Sequence, residues 1–538
     1  MTRSYFSLAL LALGFFTWSC QEADLQPENT STEFAQVIST PYIGGLENAN
    51  PAIESSSNER VSNWNTTRVL VNGGLLGFGN NAYEQPYLQN NNLVAPAGEL
   101  LRRLRYQVSW NSTTSTMTAT RSTNSGANTI VIQANNNRAT VDGQIFTLPV
   151  TPVLLNGNLM APARFVAEKG GASIIEWDQD TQSMQVYFYE ELDFGIYFYG
   201  SQSNASTDAT GCQKYIAGQP NPYFDPSKPT IIYTHGWQKD GVKNKTREGF
   251  LFNEASVYEN VQNYWKQRGW NVAIFQWIQL ADDDWGAMPV DTEKKIYDAT
   301  SANIGMRWKR TNGSWGTIGG NPSKNVTQLY ADEFEKILAV TASGTELRLI
   351  GNSLGGNLTM SLLRELHLRG KRIPSRITLI DPYWDPDLSA SDGIKLPTGF
   401  LNTKAVGAYA GKLARDTYSV AIEYFRTSAA GLVGTNDELV KVTAFSHFGV
   451  DYTSNVATKH TAPVKQYLWS INFAAPKEIY RPNAFVNFTY TGNVAASANT
   501  TNARIRQLMV DNKYWNHVRG RNTPTPSDDE YEIRDGLY

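Results

Sequence analysis

Cysteine is nearly missing from this chain of 538 residues: there are two, Cys20 and Cys212. A framework of several disulfides is therefore excluded, and the fold must rest on buried apolar surface. Neither sign of charge dominates, with 47 basic and 50 acidic residues and a formal net charge of −3. That balance excludes the basic footprint with which proteins grip nucleic acid. Long apolar runs are missing too, since the one at residues 8–16 falls well short of the ~20 residues that span a bilayer. Histidine is scarce, five in all, which narrows the search for a general base. What is present is enough to fold: 41% hydrophobic and 12% aromatic residues can bury large cores. Because single cores stop growing near ~250–300 residues, two folded units are expected.

Arg3 and the apolar run 8–16 read as an export signal that ends in Thr17-Trp18-Ser19-Cys20. Residues 1–20 resemble a bacterial lipoprotein signal, although Trp18 stands where small residues are usual. The resemblance implies an acylated Cys20 that tethers the protein to a membrane surface without a spanning helix. Plain cleavage and secretion is the alternative. With Cys20 acylated, Cys212 has no intramolecular partner and reads as structural. Residues 21–65, rich in Ser, Asn, Thr, Glu and Pro, read as a flexible linker.

Residues 66–190 hold an internal repeat. Val71-Asn72-Gly73-Gly74, Leu93 to Ala97, Val108-Ser109-Trp110 and Thr116-Met117-Thr118 form the first copy. Val141-Asp142-Gly143-Gln144, Leu159 to Ala163, Ile175-Glu176-Trp177 and Ser183 to Val186 form the second. Each copy predicts a strand, a hairpin, a short helix after the Ala-Pro-Ala step and a closing hairpin, with Asn-Gly and Asp-Gly as tight-turn pairs. At these residues the unit resembles the N-terminal domain of copper amine oxidases, a small α+β module. The oxidase's catalytic domain has no counterpart in the chain, so no copper chemistry is carried over. The resemblance implies a spacer, or a module that contacts cell wall or polymer.

In residues 191–538, short β-rich runs at 194–199, 230–234, 272–277, 346–350, 377–380 and 420–425 alternate with helical patterns such as 254–268 and 328–342. Strands alternating with helices predict an α/β fold, a mostly parallel sheet covered on both faces. Into this pattern falls Gly351-Asn352-Ser353-Leu354-Gly355-Gly356. As a bare motif it is weak. Its setting is stronger, because a β-rich run enters it and a helix-forming run, 357–368, leaves it. Such a strand–turn–helix corner lifts a serine hydroxyl off the sheet edge at a helix N-terminus, where negative charge is favoured. A free hydroxyl needs a base. His367, inside the following helix, reads as packing or surface, and His517 as a capping or packing residue. His460, in Lys459-His460-Thr461 before a helical run at 464–471, is the preferred base, placed on a loop; His447 is the alternative. The acid candidate is Asp381, at the end of the run Ile377 to Ile380, with Asp385 and Asp387 close behind it.

At Lys228 to Trp237, Asn271 to Trp277, Gly351 to Gly356, Ile377 to Pro382 and His460, residues 191–538 resemble the pancreatic-lipase-like branch of α/β-hydrolases. The resemblance covers about 192–475. It implies a serine hydrolase with the triad Ser353, Asp381 and His460. The turn His235-Gly236-Trp237 would then shape an oxyanion hole from the backbone N–H groups of Trp237 and Leu354, with His235 organising the turn. Two departures stand out: the disulfides of the animal enzymes are absent, and Trp277-Ile278 replaces the usual Asp-Trp. The implied activity is cleavage of ester or lipid substrates without metal or organic cofactor. An adhesin with an inactive hydrolase unit and an amide or peptide hydrolase are the alternatives. Residues 427–459 read as a lid or as an ordinary surface loop, the acidic run from Asp282 reads as a solvated loop rather than a calcium site, and 476–538 carries no assignable role.

Overall fold

The computed structural model describes residues 67–536 apart from 78–84, 124–125, 180, 203–205, 207–210, 284–288, 301–303, 319–322, 428–433 and 483–486. The export signal, Cys20 and the linker lie outside the described residues.

The repeat folds as a pseudo-symmetric pair. Strand Asn92–Pro96 of the first copy lies antiparallel to Asn158–Pro162 of the second, with Ala95 opposite Ala161, Val94 opposite Pro162 and Pro96 opposite Met160. Each strand runs directly into a short helix, Ala97–Arg103 and Ala163–Lys169, and each helix rests mainly on the other copy's strand. The turns follow their chemistry: Asn72, Gly73, Asp142, Gly143, Asn156 and Gly157 all have positive φ, as two-residue hairpin turns require. Leu100, Leu101, Val166, Met117 and Ile130 share one core. The first and last strands of the module, Arg68–Val71 and Ser183–Tyr187, pair in parallel and close it.

The larger unit is built on a twelve-stranded sheet. In chain order its strands are β1 Gly195–Tyr199, β2 Cys212–Lys214, β3 Thr230–Thr234, β4 Asn271–Gln276, β5 Leu347–Asn352 and β6 Arg376–Ile380. They continue with β7 Ala421–Arg426, β8 Ala444–His447, β9 Lys477–Tyr480, β10 Thr489–Val494, β11 Lys513–Arg519 and β12 Glu530–Asp535. Their spatial order is β2-β1-β4-β3-β5-β6-β7-β8-β11-β12-β9-β10. From β4 through β11 every neighbouring pair is parallel, and β1 joins β4 antiparallel. β3, β4 and β6 are buried at every residue, because helices cover both faces. This is the α/β-hydrolase fold.

The strand order places the site. After β3 the chain goes to β4 on one side, then crosses back to β5 on the other. The carboxyl ends of β3 and β5 therefore flank a topological switch point, where open α/β sheets bind ligands.

Two expectations are corrected, on residues 254–268 and on the run from Asp282, and two stretches that the sequence left open, 427–459 and 476–538, gain a place. Residues 254–268 are not one helix: a hairpin, Leu251–Glu254 with Val257–Asn260, turns at Ala255 and Ser256, both with positive φ, and only Gln262–Gln267 is helical. Phe252, buried against Trp469, holds the hairpin down. Within the proposed lid, β8 is an integral strand beside β7, so no lid spans 427–459 as a whole. The polar segment 476–538 supplies β9 to β12. Its anchor is Arg376, fully buried at the start of β6, which pairs with Glu423 at 2.7 Å and donates to the carbonyls of Ser497 and Thr500 at 2.7 Å each. Finally, Asp282 and Asp283 are buried rather than solvated.

Candidate active site

Ser353 stands between β5 and the helix Leu354–Leu368, which begins at the very next residue. Its backbone has φ 53° and ψ −130°, a conformation that costs an L-residue about 1–3 kcal/mol and persists only where neighbours enforce it. They do so here. The Ser353 N–H donates to the Ile380 carbonyl at 3.2 Å, and its own carbonyl accepts from the N–H of Tyr383 at 3.0 Å and of Gly356 at 2.9 Å. The glycines at this corner answer to space. A Cβ on Gly355 would lie 2.1 Å from the Thr234 carbonyl, so the helix could not approach β3. A Cβ on Gly236 would lie 2.7 Å from the Ser353 Cβ, so the turn after β3 rests directly on the serine. Ser353 itself is half-buried.

Asp381 follows β6 and is 1% exposed. Its Oδ2 lies 3.1 Å from His460 Nδ1. The Thr427 N–H donates to Oδ1 at 2.6 Å, and the Thr427 hydroxyl lies 2.6 Å from Oδ2. His460 is not on a loop. It lies in the second turn of the helix Val456–Trp469, whose N-terminus is capped by the Asn455 side chain on the N–H groups of Ala457 and Thr458. Pro463 inside this helix has no N–H for the Lys459 carbonyl four residues back. The Thr427 hydroxyl lies 2.7 Å from that carbonyl, so it sits between the helix and the carboxylate. Asn352, next to Ser353, ties the two halves of the site together: its Nδ2 donates to the Ile380 carbonyl at 3.0 Å and to the His460 carbonyl at 3.2 Å.

His235 is fully buried and stacks on Trp277 with ring centroids 5.7 Å apart. Its Nε2 accepts from the Trp277 N–H at 3.2 Å, so Nδ1 carries the proton and meets the Gly236 carbonyl at 2.9 Å. Burial holds its pKa down at about 4. It is therefore a neutral strut of the turn. Leu354 opens the helix, so its N–H has no intrahelical acceptor, and Trp237 directly follows Gly236, the residue of the turn that rests on Ser353.

The other candidates are placed elsewhere. His447 ends β8 between the rings of Phe445 and Tyr514, and burial holds its pKa near 4. His367 bonds the Tyr418 hydroxyl at 2.7 Å on an exposed surface. Asp385 receives the N–H groups of Asp387 and Leu388 and so caps its own loop, while Asp387 is exposed. Cys212 is a buried thiol, with its Sγ 3.2 Å from the Tyr187 hydroxyl. Two contributors escaped the sequence. Thr427 carried no motif, although its place at the end of the strand beside β6 was the available signal. Glu293 lies behind the helix Leu354–Leu368, where its Oε1 accepts from Asn357 Nδ2 at 3.0 Å and its Oε2 from the Asp385 N–H at 2.8 Å. Burial pushes its carboxyl up to about 8.

Residues 71–186 match the copper amine oxidase N-terminal domain. No curated protein matches the chain. Similar solved structures include an α/β-hydrolase enzyme from the metagenome of Lake Arreo, Spain, at 13% identity, 38% of this chain, 55% of that one and a TM-score of 0.19. An esterase from Pyrobaculum calidifontis matches at 13% identity over 38% of this chain and 60% of its own, with a TM-score of 0.17. Esterase B from Lactobacillus rhamnosis matches at 14% identity over 52% and 72%, with a TM-score of 0.19. The chain thus spans little more than half of the first two of these. At such superposition the fold assignment rests on the strand order itself.

Proposed function

We propose that the protein is a serine hydrolase of carboxylic esters. The observation that carries this reading is the buried Asp381–His460 bond, tied by Asn352, the last residue of β5, to the strained Ser353 that follows it. In this reading His460 takes the Ser353 proton through the ring nitrogen that faces away from Asp381, and the Ser353 oxygen attacks the ester carbonyl. Asp381 fixes the tautomer and stabilises the imidazolium. The N–H groups of Trp237 and Leu354 receive the oxyanion, a contribution worth ~10²–10³ in rate per donor. The alcohol leaves with the proton returned by His460, and water activated by the same ring releases the acid from the acyl-enzyme.

We further place the protein at the cell envelope, held by lipid on Cys20, with residues 66–190 facing wall or polymer; radiolabelled palmitate lost in Cys20→Ala tests the anchor. The ester reading is tested with p-nitrophenyl esters of graded chain length beside peptide anilides. Ester turnover that vanishes in Ser353→Ala is the expected result. Turnover of anilides alone would move the assignment to amides, and an inert wild type would leave the binding-protein alternative.

A further inference from the structure

The acidic stretch that begins at Asp282 has no part in the chemistry above, yet it is buried where a carboxylate is costly. Asp282 is 4% exposed, and burial pushes its carboxyl up to about 7 even though two backbone N–H groups pull it down. Its neighbours Ala281 and Asp283 are fully buried as well. All three face one object, the turn that follows β3.

Hydrogen bonds join the two segments directly. The Gln238 N–H donates to the Ala281 carbonyl at 3.1 Å. The N–H of Asp240 donates to Asp282 Oδ1 at 2.8 Å, and that of Val242 to Asp282 Oδ2 at 3.0 Å. The Trp237 indole Nε1–H donates to the Asp283 carbonyl at 3.1 Å. At the near end of the same strap, the Trp277 indole donates to the His235 carbonyl at 2.9 Å. Residues 235–242 are thus sewn along their length to residues 277–283.

The platform is itself pinned. Asp283 holds Arg307 through two bonds of 2.7 Å and Lys295 at 2.7 Å, and Arg307 reaches on to Asp291 at 3.1 Å. Thr292 adds its hydroxyl to the Asp283 carbonyl. A turn fastened to such a base has little freedom to shift relative to Ser353, on which Gly236 rests.

We infer that Asp282 is a positioning residue for the oxyanion turn, holding the Trp237 N–H at the place where negative charge develops. This rests on the serine-hydrolase reading of the same site. The chemistry explains why a carboxylate is kept in this dry position. It offers two acceptors to two N–H groups, whereas an amide would set an N–H against one of them. Buried polar groups left so mismatched weaken their segment, and a displacement of about 1 Å at a catalytic donor costs on the order of 10²-fold in rate.

The test is Asp282→Asn in the full chain, assayed with a short-chain p-nitrophenyl ester and by the rate of fluorophosphonate labelling. The expected result is a fall of about 10–100-fold in kcat and in labelling rate with KM changed less than about threefold, in protein whose near-ultraviolet circular dichroism matches wild type. Trp237→Phe removes the indole tether and keeps the backbone N–H. It repeats the test in a chain with Asp282 intact, with a smaller fall of the same kind, and carries the test alone if Asp282→Asn does not fold. A folded Asp282→Asn with wild-type kcat overturns the inference and leaves the serine reading standing. An unchanged kcat in Trp237→Phe, where that variant alone folds, does the same. A wild type that neither hydrolyses nor labels overturns both.

Discussion

Among the described residues two histidine–carboxylate pairs lie buried at the same separation, and only one belongs to the candidate site. His460 Nδ1 is 3.1 Å from Asp381 Oδ2, and His517 Nε2 is 3.1 Å from Asp529 Oδ1. In the first pair the contact is an aligned hydrogen bond. The carboxylate is held by Thr427, and the helix carrying the ring is tied through Asn352 to Ser353. In the second, the ring is closed on all sides: Nδ1 accepts from the Gly449 N–H at 3.2 Å, and Nε2 meets Asp529 out of line for a hydrogen bond. Phe448 and Tyr531 stack on its two faces at 5.1 and 4.7 Å. A histidine beside a carboxylate therefore does not by itself mark a candidate site. What distinguishes His460 is a strained hydroxyl-bearing corner at the switch point, joined to its helix through Asn352.

The comparison can be broken most forcefully at the carboxylates. Asp381→Asn is expected to lower kcat by about 10⁴-fold, the loss that follows when the imidazole is held in the wrong tautomer; Asp529→Asn should leave kcat of the folded enzyme within about twofold. Steady-state kinetics on the two variants side by side checks both. Equal losses would erase the distinction.

The second contrast concerns stability. His517→Phe keeps the aromatic stack but strands the Gly449 N–H and the buried Asp529, so unfolding by urea should show a loss of about 1–3 kcal/mol with kcat retained. A smaller effect is expected from Thr427→Val. Without the hydroxyl, Asp381 Oδ2 and the Lys459 carbonyl lose their shared partner, and kcat should drop about tenfold. Thr427→Ser should restore most of it, which a purely steric role would not require.

The smallest expected effect is in the pH dependence. Burial raises the Asp529 carboxyl above its ordinary 3.8. The folded state therefore holds a proton that the unfolded state has already released, so this group's contribution to stability falls as pH rises above about 4. Asp529→Asn should remove that slope, seen as a flatter stability–pH curve than wild type as pH rises above about 4. An unchanged curve would contradict the assignment.

The central strands were legible because β3 to β7 are short apolar runs bounded by turn residues, and the corner at Ser353 was legible because its glycines answer to contacts with β3 and the serine. His460 as a helical residue was not. Pro463 argued for a helix starting after it, whereas the helix begins seven residues earlier and the Thr427 hydroxyl approaches the carbonyl that the proline leaves open. Strands β9 to β12 escaped because much of their surface is polar. β10 is exposed at nearly every residue, and the anchoring of this region depends on Arg376, far away in sequence. The hairpin at 251–260 was hidden by two non-glycine residues in left-handed conformation, Ala255 and Ser256, which tertiary packing imposes against local preference.

Activation of Ser353 by His460 is tested most directly by intact-mass spectrometry after reaction with a fluorophosphonate. It predicts one adduct in the wild type, mapped to the peptide of Ser353, lost in Ser353→Ala, strongly slowed in His460→Asn and formed at wild-type rate in folded His517→Phe. An adduct that survives Ser353→Ala, or one that His460→Asn does not slow, would contradict it.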